Sequence, residues 1–361
     1  MCYTVGMTNE QTARADALRQ LPGLLLPWYD ANRRDLPWRE NTDPYRVWVS
    51  EIMLQQTRVE AAKDHYIRFL AELPTVEALA ACDEKKLFKL WEGLGYYSRA
   101  RNLQRAAKIV AETGFPSTAE GWKKLPGVGD YTAGAIASIA FGQPSPAVDG
   151  NVIRVLARLL GDGREQETLK GAFAEELAPA YPPARRGDFT QSLMELGATV
   201  CTPSSPQCLA CPLFALCRTR GDALPARRAK PERRRSEKTL FLFRRGDQVA
   251  LYRRKAGVLK GTYAFFSAER AMDEAEAAAF LRAAGLQRFA LGAPLRHTHV
   301  FSHLEWEMTA YPVDADEDAA ALRLPDGERA DAAFSELFYA EKEAVVREFS
   351  LPSPYKWCLA A

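Results

Sequence analysis

The segment Leu125-Pro126-Gly127-Val128-Gly129 stands between two stretches of helical pattern and runs on into Asp130-Tyr131. Two glycines one residue apart let the backbone turn tightly and come close to another molecule. The N–H groups that open the helical stretch Asp130–Phe141 form an anion site. This is a helix-hairpin-helix pattern, suited to gripping a nucleic-acid phosphate without reading bases. A plain connection between two helices is the competing reading, and five residues alone do not separate the two.

Around the hairpin, residues 13–220 read as mainly helical. Apolar residues recur at helical spacing in Val47–Thr57, Leu87–Leu94, Tyr131–Phe141 and Val152–Leu160. Breaks at Leu73-Pro74, Gly114-Phe115-Pro116 and Gln143-Pro144 separate them. Residues 221–236 hold a dense basic run with little to bury, which reads as a linker. Beyond residue 237 the pattern changes. Thr239–Phe243 and Gln248–Arg253 read as strands joined at Arg244-Arg245-Gly246-Asp247, with further strands at Tyr263–Phe266 and Glu305–Pro312. Met272–Ala284 reads as a helix ended by Gly285. The expected fold is a mainly α region followed by an α+β domain.

The chain has 361 residues, 47% of them hydrophobic, which is too many for one ordinary core. No run of about 18 apolar residues suggests a membrane span. Met1–Thr12 lacks the basic and apolar regions of a signal peptide. The expectation is a cytoplasmic protein, nucleoid-associated if bacterial. In a reducing compartment seven cysteines point to metal binding or buried thiols. The formal charge of +2 conceals a basic stretch at 218–238 and an acidic one at 314–343. A polyanion touching part of the chain fits this, as does a merely solvated linker.

Cys201-x6-Cys208-x2-Cys211-x5-Cys217 is the sharpest signal. Four thiolates so close in sequence can surround one metal centre. Zinc sites commonly use two Cys-x2-Cys knuckles, and only one such pair is present. Chemistry alone leaves zinc and a [4Fe–4S] cluster equally open. Four buried thiols are a poor alternative, because the segment is rich in Pro and Ser.

Two carboxylates stand out. Asp149, in Ala147-Val148-Asp149-Gly150-Asn151-Val152, precedes an amphipathic helix, where a simple N-cap is the plain reading. Glu51 lies in Val47–Leu54, a helix apolar on nearly every side. Desolvation there raises its pKa toward neutrality, as a general acid requires. A protonated and an ionised carboxyl together can cleave a glycosidic bond.

The hairpin, Asp149 and the cysteine cluster together resemble the helix-hairpin-helix DNA glycosylases. Trp38-Arg39, Val49–Thr57, Gly93-Leu94-Gly95-Tyr96-Tyr97-Ser98-Arg99 and Ala147–Asn151 look like the MutY-type adenine DNA glycosylases in particular. The match runs from about residue 18 to the C-terminus. The resemblance implies a six-helix-type domain over 13–146. Residues 147–220 would carry the carboxylate helix and the cluster, packing with the N-terminal helix. A basic linker would span 221–236 and a Nudix-like domain 237–361. It also implies a [4Fe–4S] cluster on the four cysteines, and a monomer acting on duplex DNA with adenine opposite 8-oxoguanine or guanine. By the same resemblance Glu51 protonates adenine N7, Asp149 stabilises the oxocarbenium ion, Asn151 orients Asp149 and Tyr131 supports the site. Trp38, Arg39 and Glu195 would line the adenine pocket, Gly127 and Gly129 would meet DNA, and Gln56 and Tyr96 would fill the gap left by base flipping.

Two features refine this expectation. Endonuclease III-type relatives carry a nucleophilic Lys shortly after the hairpin. Here Tyr131 follows Asp130, and a phenol forms no Schiff base, so the activity expected is monofunctional. Phe301-Ser302-His303 resembles the loop by which the MutY-type enzymes sense 8-oxoguanine. The paired-glutamate signature of Nudix hydrolases is missing from Asp273–Leu286, so recognition without hydrolysis is expected. A zinc site on His297, His299 and His303 is the weaker alternative, because only Glu305 stands near as a further ligand. An oxidised-pyrimidine lyase, a non-enzymatic iron–sulfur DNA-binding protein and a Nudix hydrolase are the other readings. Tyr131, the Glu51–Asp149 pair and the missing glutamates speak against them respectively.

Overall fold

The computed structural model describes residues 8–226, 232–257, 259–301, 304–315, 319–325 and 336–360. It divides into two compact units, one of Met1–Ala80 with Asn102–Ala229 and one of Ala81–Arg101 with Lys230–Ala361. This follows a different line from the expected domains. Residues 13–80, 102–146 and 147–220 share one unit. Residues 81–101 belong with the C-terminal unit, where Glu84 takes Arg101 at 2.9 Å and Arg253 at 3.2 Å, and Lys89 donates to the Phe349 carbonyl at 3.1 Å.

The helices are α1 (Asn9–Asn32), α2 (Pro44–Met53), α3 (Val59–Glu72), α4 (Val76–Ala81), α5 (Glu84–Trp91), α6 (Tyr97–Thr113), α7 (Ala119–Lys123), α8 (Asp130–Phe141), α9 (Gly150–Leu160), α10 (Gln166–Leu177) and α11 (Arg186–Thr199). Side chains start several of them. Thr8 and Gln11 form a capping box on α1, and Asp43, Asp83 and Asp149 cap α2, α5 and α9. The apolar pattern of Val47–Thr57 outruns its helix. α2 stops at Met53, and Gln56 takes a left-handed φ of 59°, which no α-helix continues.

The core of the first unit forms around α9. Every residue from Val152 to Leu160 is buried, against Leu21 and Leu25 of α1, Phe173 of α10 and Phe189 and Leu193 of α11. Burying each large aliphatic side chain is worth about 1.5–3 kcal/mol, so this face dominates the placement of α9. Close approaches need glycine. A Cβ on Gly134 of α8 would stand 2.2 Å from the Pro146 carbonyl oxygen, and one on Gly197 of α11 would stand 2.6 Å from Asn151 Cβ.

The second unit has a mixed sheet. Its strands are β1 (Arg234–Arg245), β2 (Gln248–Arg253), β3 (Tyr263–Ala264), β4 (Phe266–Ala268), β5 (Phe289–Leu291), β6 (Leu295–Val300), β7 (Leu304–Ala315) and β8 (Phe338–Glu341). The path runs β3-β2-β1-β7-β5, with β4 on β1, β6 on β7 and β8 on β2. β1 and β7 are parallel; the other pairs are antiparallel. The run Lys238–Phe243 is buried throughout, as expected of a strand covered on both faces. α12 (Glu274–Ala283) starts in an Asp273–Glu276 capping box and stacks Phe280 on Phe241; α13 (Lys342–Glu348) and α14 (Ser353–Ala360) follow.

The expected linker 221–236 needs correction at its end. Residues 227–231 lie outside the described ones, but Arg234–Ser236 already belong to β1, paired with Leu304–Trp306. Backbone pairing to β7 takes up this basic stretch, and Arg235 points its charge toward Glu305 at 3.9 Å. The strand pattern Tyr263–Phe266 is split by Phe265 into β3 and β4.

Candidate active site and cysteine centre

The hairpin is built as its glycines require. α7 ends at Lys123, Val128 donates to the Leu125 carbonyl at 3.2 Å, and Gly129 caps α8 without a side-chain cap. Gly127 has a φ of 79°, and a Cβ there would meet Asn102 Cβ at 2.7 Å. Gly129 faces open space. The first N–H groups of α8 are thus left to an external acceptor.

α8 continues with Tyr131, which turns back toward Glu51 on α2. Glu51 is 6% exposed, and its Oε2 is buried without a hydrogen-bond partner. Burial pushes its carboxyl up to about 7; the Tyr131 hydroxyl opposes this, and the nearby Asp149 charge adds to it. Burial also drives the Tyr131 phenol well above its usual range, so it stays a neutral donor.

Asp149 lies in a different environment. Its Oδ1 accepts from the Val152 N–H at 2.8 Å, as the N-cap of α9, and its Oδ2 accepts from Asn151 Nδ2 at 2.9 Å. Burial raises its pKa, against these hydrogen bonds and the Arg154 charge. The plain N-cap reading is therefore correct, and it leaves Asp149 beside Glu51. Asn151 is held in turn: its Oδ1 accepts from Arg154 Nη2 at 2.7 Å.

Glu195 on α11 is 1% exposed and fully engaged. Arg34 donates from its backbone N–H at 3.0 Å and from its guanidinium to both carboxyl oxygens at 2.8 Å, and Arg39 Nη2 donates to Oε2 at 2.8 Å. Burial alone would raise this carboxyl, but the two arginines hold it at about 2. Arg39 also reaches Gln191 at 3.1 Å, and Trp38 packs edge-on against Tyr66. Gln56 sits on the exposed turn after α2.

The four cysteines converge on one cavity, lined also by Val200, Leu213 and Phe214. Cys201 follows α11, with its N–H on the Leu196 carbonyl at 2.7 Å. The strap returns to α9, where Arg218 and Thr219 donate to the Leu159 and Arg158 carbonyls at 3.0 Å each. Burial pushes the Cys211 thiol up to about 11 and raises Cys217. Among the described residues, no group of three or more His, Cys, Asp or Glu is arranged to hold a single metal ion. The donor set fits a cluster on other grounds. Its walls are apolar, and N–H groups already address the sulfurs: Arg158 Nη1 reaches Cys201 Sγ and the Gly221 N–H reaches Cys208 Sγ, both at 3.4 Å. Such donors and a nearby cation stabilise a thiolate-bound cluster.

Sequence reasoning missed Arg34, Arg154 and Arg158. Arg158 is 2% exposed and donates to the carbonyls of Leu224 at 2.8 Å, Thr202 at 2.7 Å and Pro203 at 3.3 Å. Arg154 donates to the carbonyls of Cys201 at 2.7 Å and Gly197 at 2.6 Å. The available signal was two arginines one helical turn apart within an otherwise apolar helix.

In the second unit, Tyr96, Tyr97, Lys260, His299, Phe301 and Pro354 line one pocket. His297 stacks on Trp357 at 5.0 Å, and His299 meets Phe301 edge-on at 4.7 Å. Ser302 and His303 lie outside the described residues. Among the described residues no helix is long and apolar enough to cross a membrane.

Residues 49–179 match a family model described as the HhH-GPD superfamily base excision DNA repair protein. The adenine DNA glycosylase of Homo sapiens is 50% identical over 212 residues, which are 55% of this chain and 39% of that protein. The adenine DNA glycosylase of Buchnera aphidicola subsp. Schizaphis graminum (strain Sg) is 38% identical over 203 residues, 54% of this chain and 58% of that protein. The chain thus spans from about two fifths to under two thirds of the length of these curated relatives. Among solved structures, a thermostable thymine-DNA glycosylase matches with a TM-score of 0.52 and 29% identity, over 56% of this chain and 96% of that one.

Proposed function

We propose that this chain, whose residues 49–179 match the HhH-GPD superfamily model, is a base excision repair glycosylase that removes adenine mispaired with 8-oxoguanine, or with guanine, from duplex DNA. The observation that carries this reading is the pair Glu51 and Asp149. Glu51 has a buried, unpartnered oxygen and a pKa near neutrality. Asp149 has both oxygens occupied by donors. Glu51 is the proton source for N7 of the flipped adenine, and Asp149 the anion that stabilises the oxocarbenium ion. Tyr131, whose hydroxyl donates to Met194 Sδ at 3.7 Å, stands close enough to Glu51 to lower its pKa and supports the site; with a phenol in place of an amine no Schiff base forms, and the product is an abasic site.

Trp38 and Arg39 border the adenine pocket. Glu195 serves it by fixing Arg34 and Arg39. Gly127, Gly129 and the start of α8 hold a phosphate of the backbone. Gln56 and Tyr96 occupy the space vacated by the flipped base. Both are non-glycine residues at positive φ, 59° and 45°, a strain that clusters at functional sites. Phe301, with Ser302 and His303, reads the opposite base from a Nudix-like domain, and the sharing of one pocket by Phe301 and Tyr96 supports this. Cys201, Cys208, Cys211 and Cys217 would hold a [4Fe–4S] cluster, which cross-links the loop that presents the exposed Arg218 and Arg220 to DNA.

Single-turnover assays on duplexes with A opposite 8-oxoguanine, G or T test this reading. Release should be fastest from the first and negligible from the last. No adenine release opposite 8-oxoguanine overturns it. Replacing Ser302 and His303 with Ala should narrow the preference for 8-oxoguanine over G, and an unchanged ratio removes that loop from recognition.

A further inference from the structure

Tyr96 is an aromatic residue held in an unusual pose. The residue is 39% exposed and its φ is 45°. It follows Gly93 and Gly95, both also at positive φ, and precedes the first residue of α6. Glycines take such angles freely; a tyrosine does so only when its surroundings impose it.

Arg99 is the group that imposes it. Its Nη2 donates to the Leu94 carbonyl at 2.8 Å and reaches the Gly95 carbonyl at 3.3 Å, on both peptides that lead into Tyr96. Its backbone N–H donates to the Tyr96 carbonyl at 2.8 Å. The guanidinium carbon lies 5.5 Å from the Trp91 ring centroid and 5.7 Å from that of Tyr96, within cation–π range of both. Trp91 joins in, donating from Nε1 to the Gly95 carbonyl at 3.1 Å. Burial holds the Arg99 guanidinium down at about 10, so the cation sits where water is scarce and its contacts are strong.

We infer that Arg99 is a positioning residue that presets Tyr96 for insertion into the base stack, a role that rests on the proposed base-flipping reading. The guanidinium fixes both ends of the element: the turn that aims the Tyr96 backbone and the plane on which its ring rests. A ring already aimed loses less freedom when it enters a duplex. A lysine cannot substitute fully, because one ammonium does not reproduce a planar fork that bonds two carbonyls within cation–π range of two rings.

A double-mutant cycle on the full-length protein tests this, using a duplex with A opposite 8-oxoguanine. A second duplex carries 2-aminopurine at the adenine position, whose fluorescence rises on unstacking. Arg99→Met should lower the single-turnover excision rate about tenfold and blunt the fluorescence rise, with duplex affinity changed less than about threefold. In a Tyr96→Ala background, Arg99→Met should have no further effect on either signal, because it acts through Tyr96. Effects that multiply in the double variant overturn the inference, as does an Arg99→Met protein with native rate and fluorescence. If Arg99→Met does not fold, Arg99→Lys replaces it, with a smaller loss expected that again vanishes with Tyr96→Ala. A wild-type protein that unstacks 2-aminopurine but releases no adenine sinks the substrate assignment alone, and the fluorescence cycle still decides the role of Arg99. A wild-type protein that binds duplex without unstacking overturns both.

Discussion

Arg154 Nη2 lies 2.7 Å from Asn151 Oδ1, and the same Asn151 amide donates to Asp149 at 2.9 Å. Arg154 also grips the Cys201 carbonyl at 2.7 Å. One buried side chain therefore touches both the residue that orients Asp149 and the first cysteine of the four-cysteine loop. Arg154→Met should slow excision by about tenfold to a hundredfold, the range for losing hydrogen bonds to a charged group. It should also lower thermal stability, because the Gly197 and Cys201 carbonyls lose their donor. Asn151→Ala should slow excision to a similar extent with a smaller stability loss. Equal melting losses in both variants would argue against Arg154 as the shared support.

Glu51 links activity to pH. Its carboxyl titrates at about 7 in the fold against an ordinary 4.5. A general acid must be protonated, so the excision rate should fall as pH rises through about 7. The stability sign is the reverse of the usual carboxylate. Below 4.5 both states are protonated and the group costs nothing. Between 4.5 and 7 the unfolded chain ionises first, so stability is progressively lost. Glu51→Gln should abolish excision yet raise neutral-pH stability by on the order of 3 kcal/mol. Denaturant melts at pH 4.5 and 7.5 should show that gain only at the higher pH.

Glu195 has the opposite signature. Arg34 and Arg39 hold it at about 2, so its contribution is present above 4.5 and is lost as pH falls toward 2. Glu195→Gln leaves Arg39, whose side chain is 11% exposed, without its charged partner. The expected loss is about 3–5 kcal/mol, measured by denaturant unfolding at pH 7. A variant as stable as wild type would show that the clamp is not structural.

The two hairpin glycines should respond differently. Gly127→Ala forces a Cβ to 2.7 Å from Asn102 Cβ at a left-handed φ, so stability should fall by about 1–3 kcal/mol. Gly129 has a φ of −94° and open space around it. Gly129→Ala should therefore fold normally and lose duplex affinity, because the new methyl meets the phosphate. Binding titrations beside melting curves separate the two effects.

The cysteine centre predicts a colour and a protease pattern. Protein purified anaerobically should carry about four irons and absorb broadly in the visible. Oxidative cluster loss, or Cys208→Ala, should make the 201–221 segment protease-sensitive. Zinc in place of iron, by metal analysis of the purified protein, would reverse the cluster assignment.

Much of this was legible locally. Apolar spacing located α5, α8 and α9, two glycines marked the hairpin, and the cysteine spacing named the four residues that share one cavity. These signals are short in range, because helical period, turn geometry and loop ligation each involve neighbours in the chain. The sequence by itself therefore determined which elements exist and which side chains are chemically unusual. Tertiary packing decided what those side chains meet. Glu51 comes near Tyr131 and Asp149 in a fold where α8 closes on the Pro146 segment at Gly134 and α11 closes on α9 at Gly197, where no Cβ fits. Arg154 and Arg158 look like solvent-facing charges in sequence, but in the fold they are buried because carbonyls from α11 and the cysteine loop satisfy their donors. Arg234–Ser236 read as linker until parallel pairing with β7 made them strand. Hydrogen bonds and burial that join distant segments depend on which surfaces meet, and local sequence pattern does not encode that.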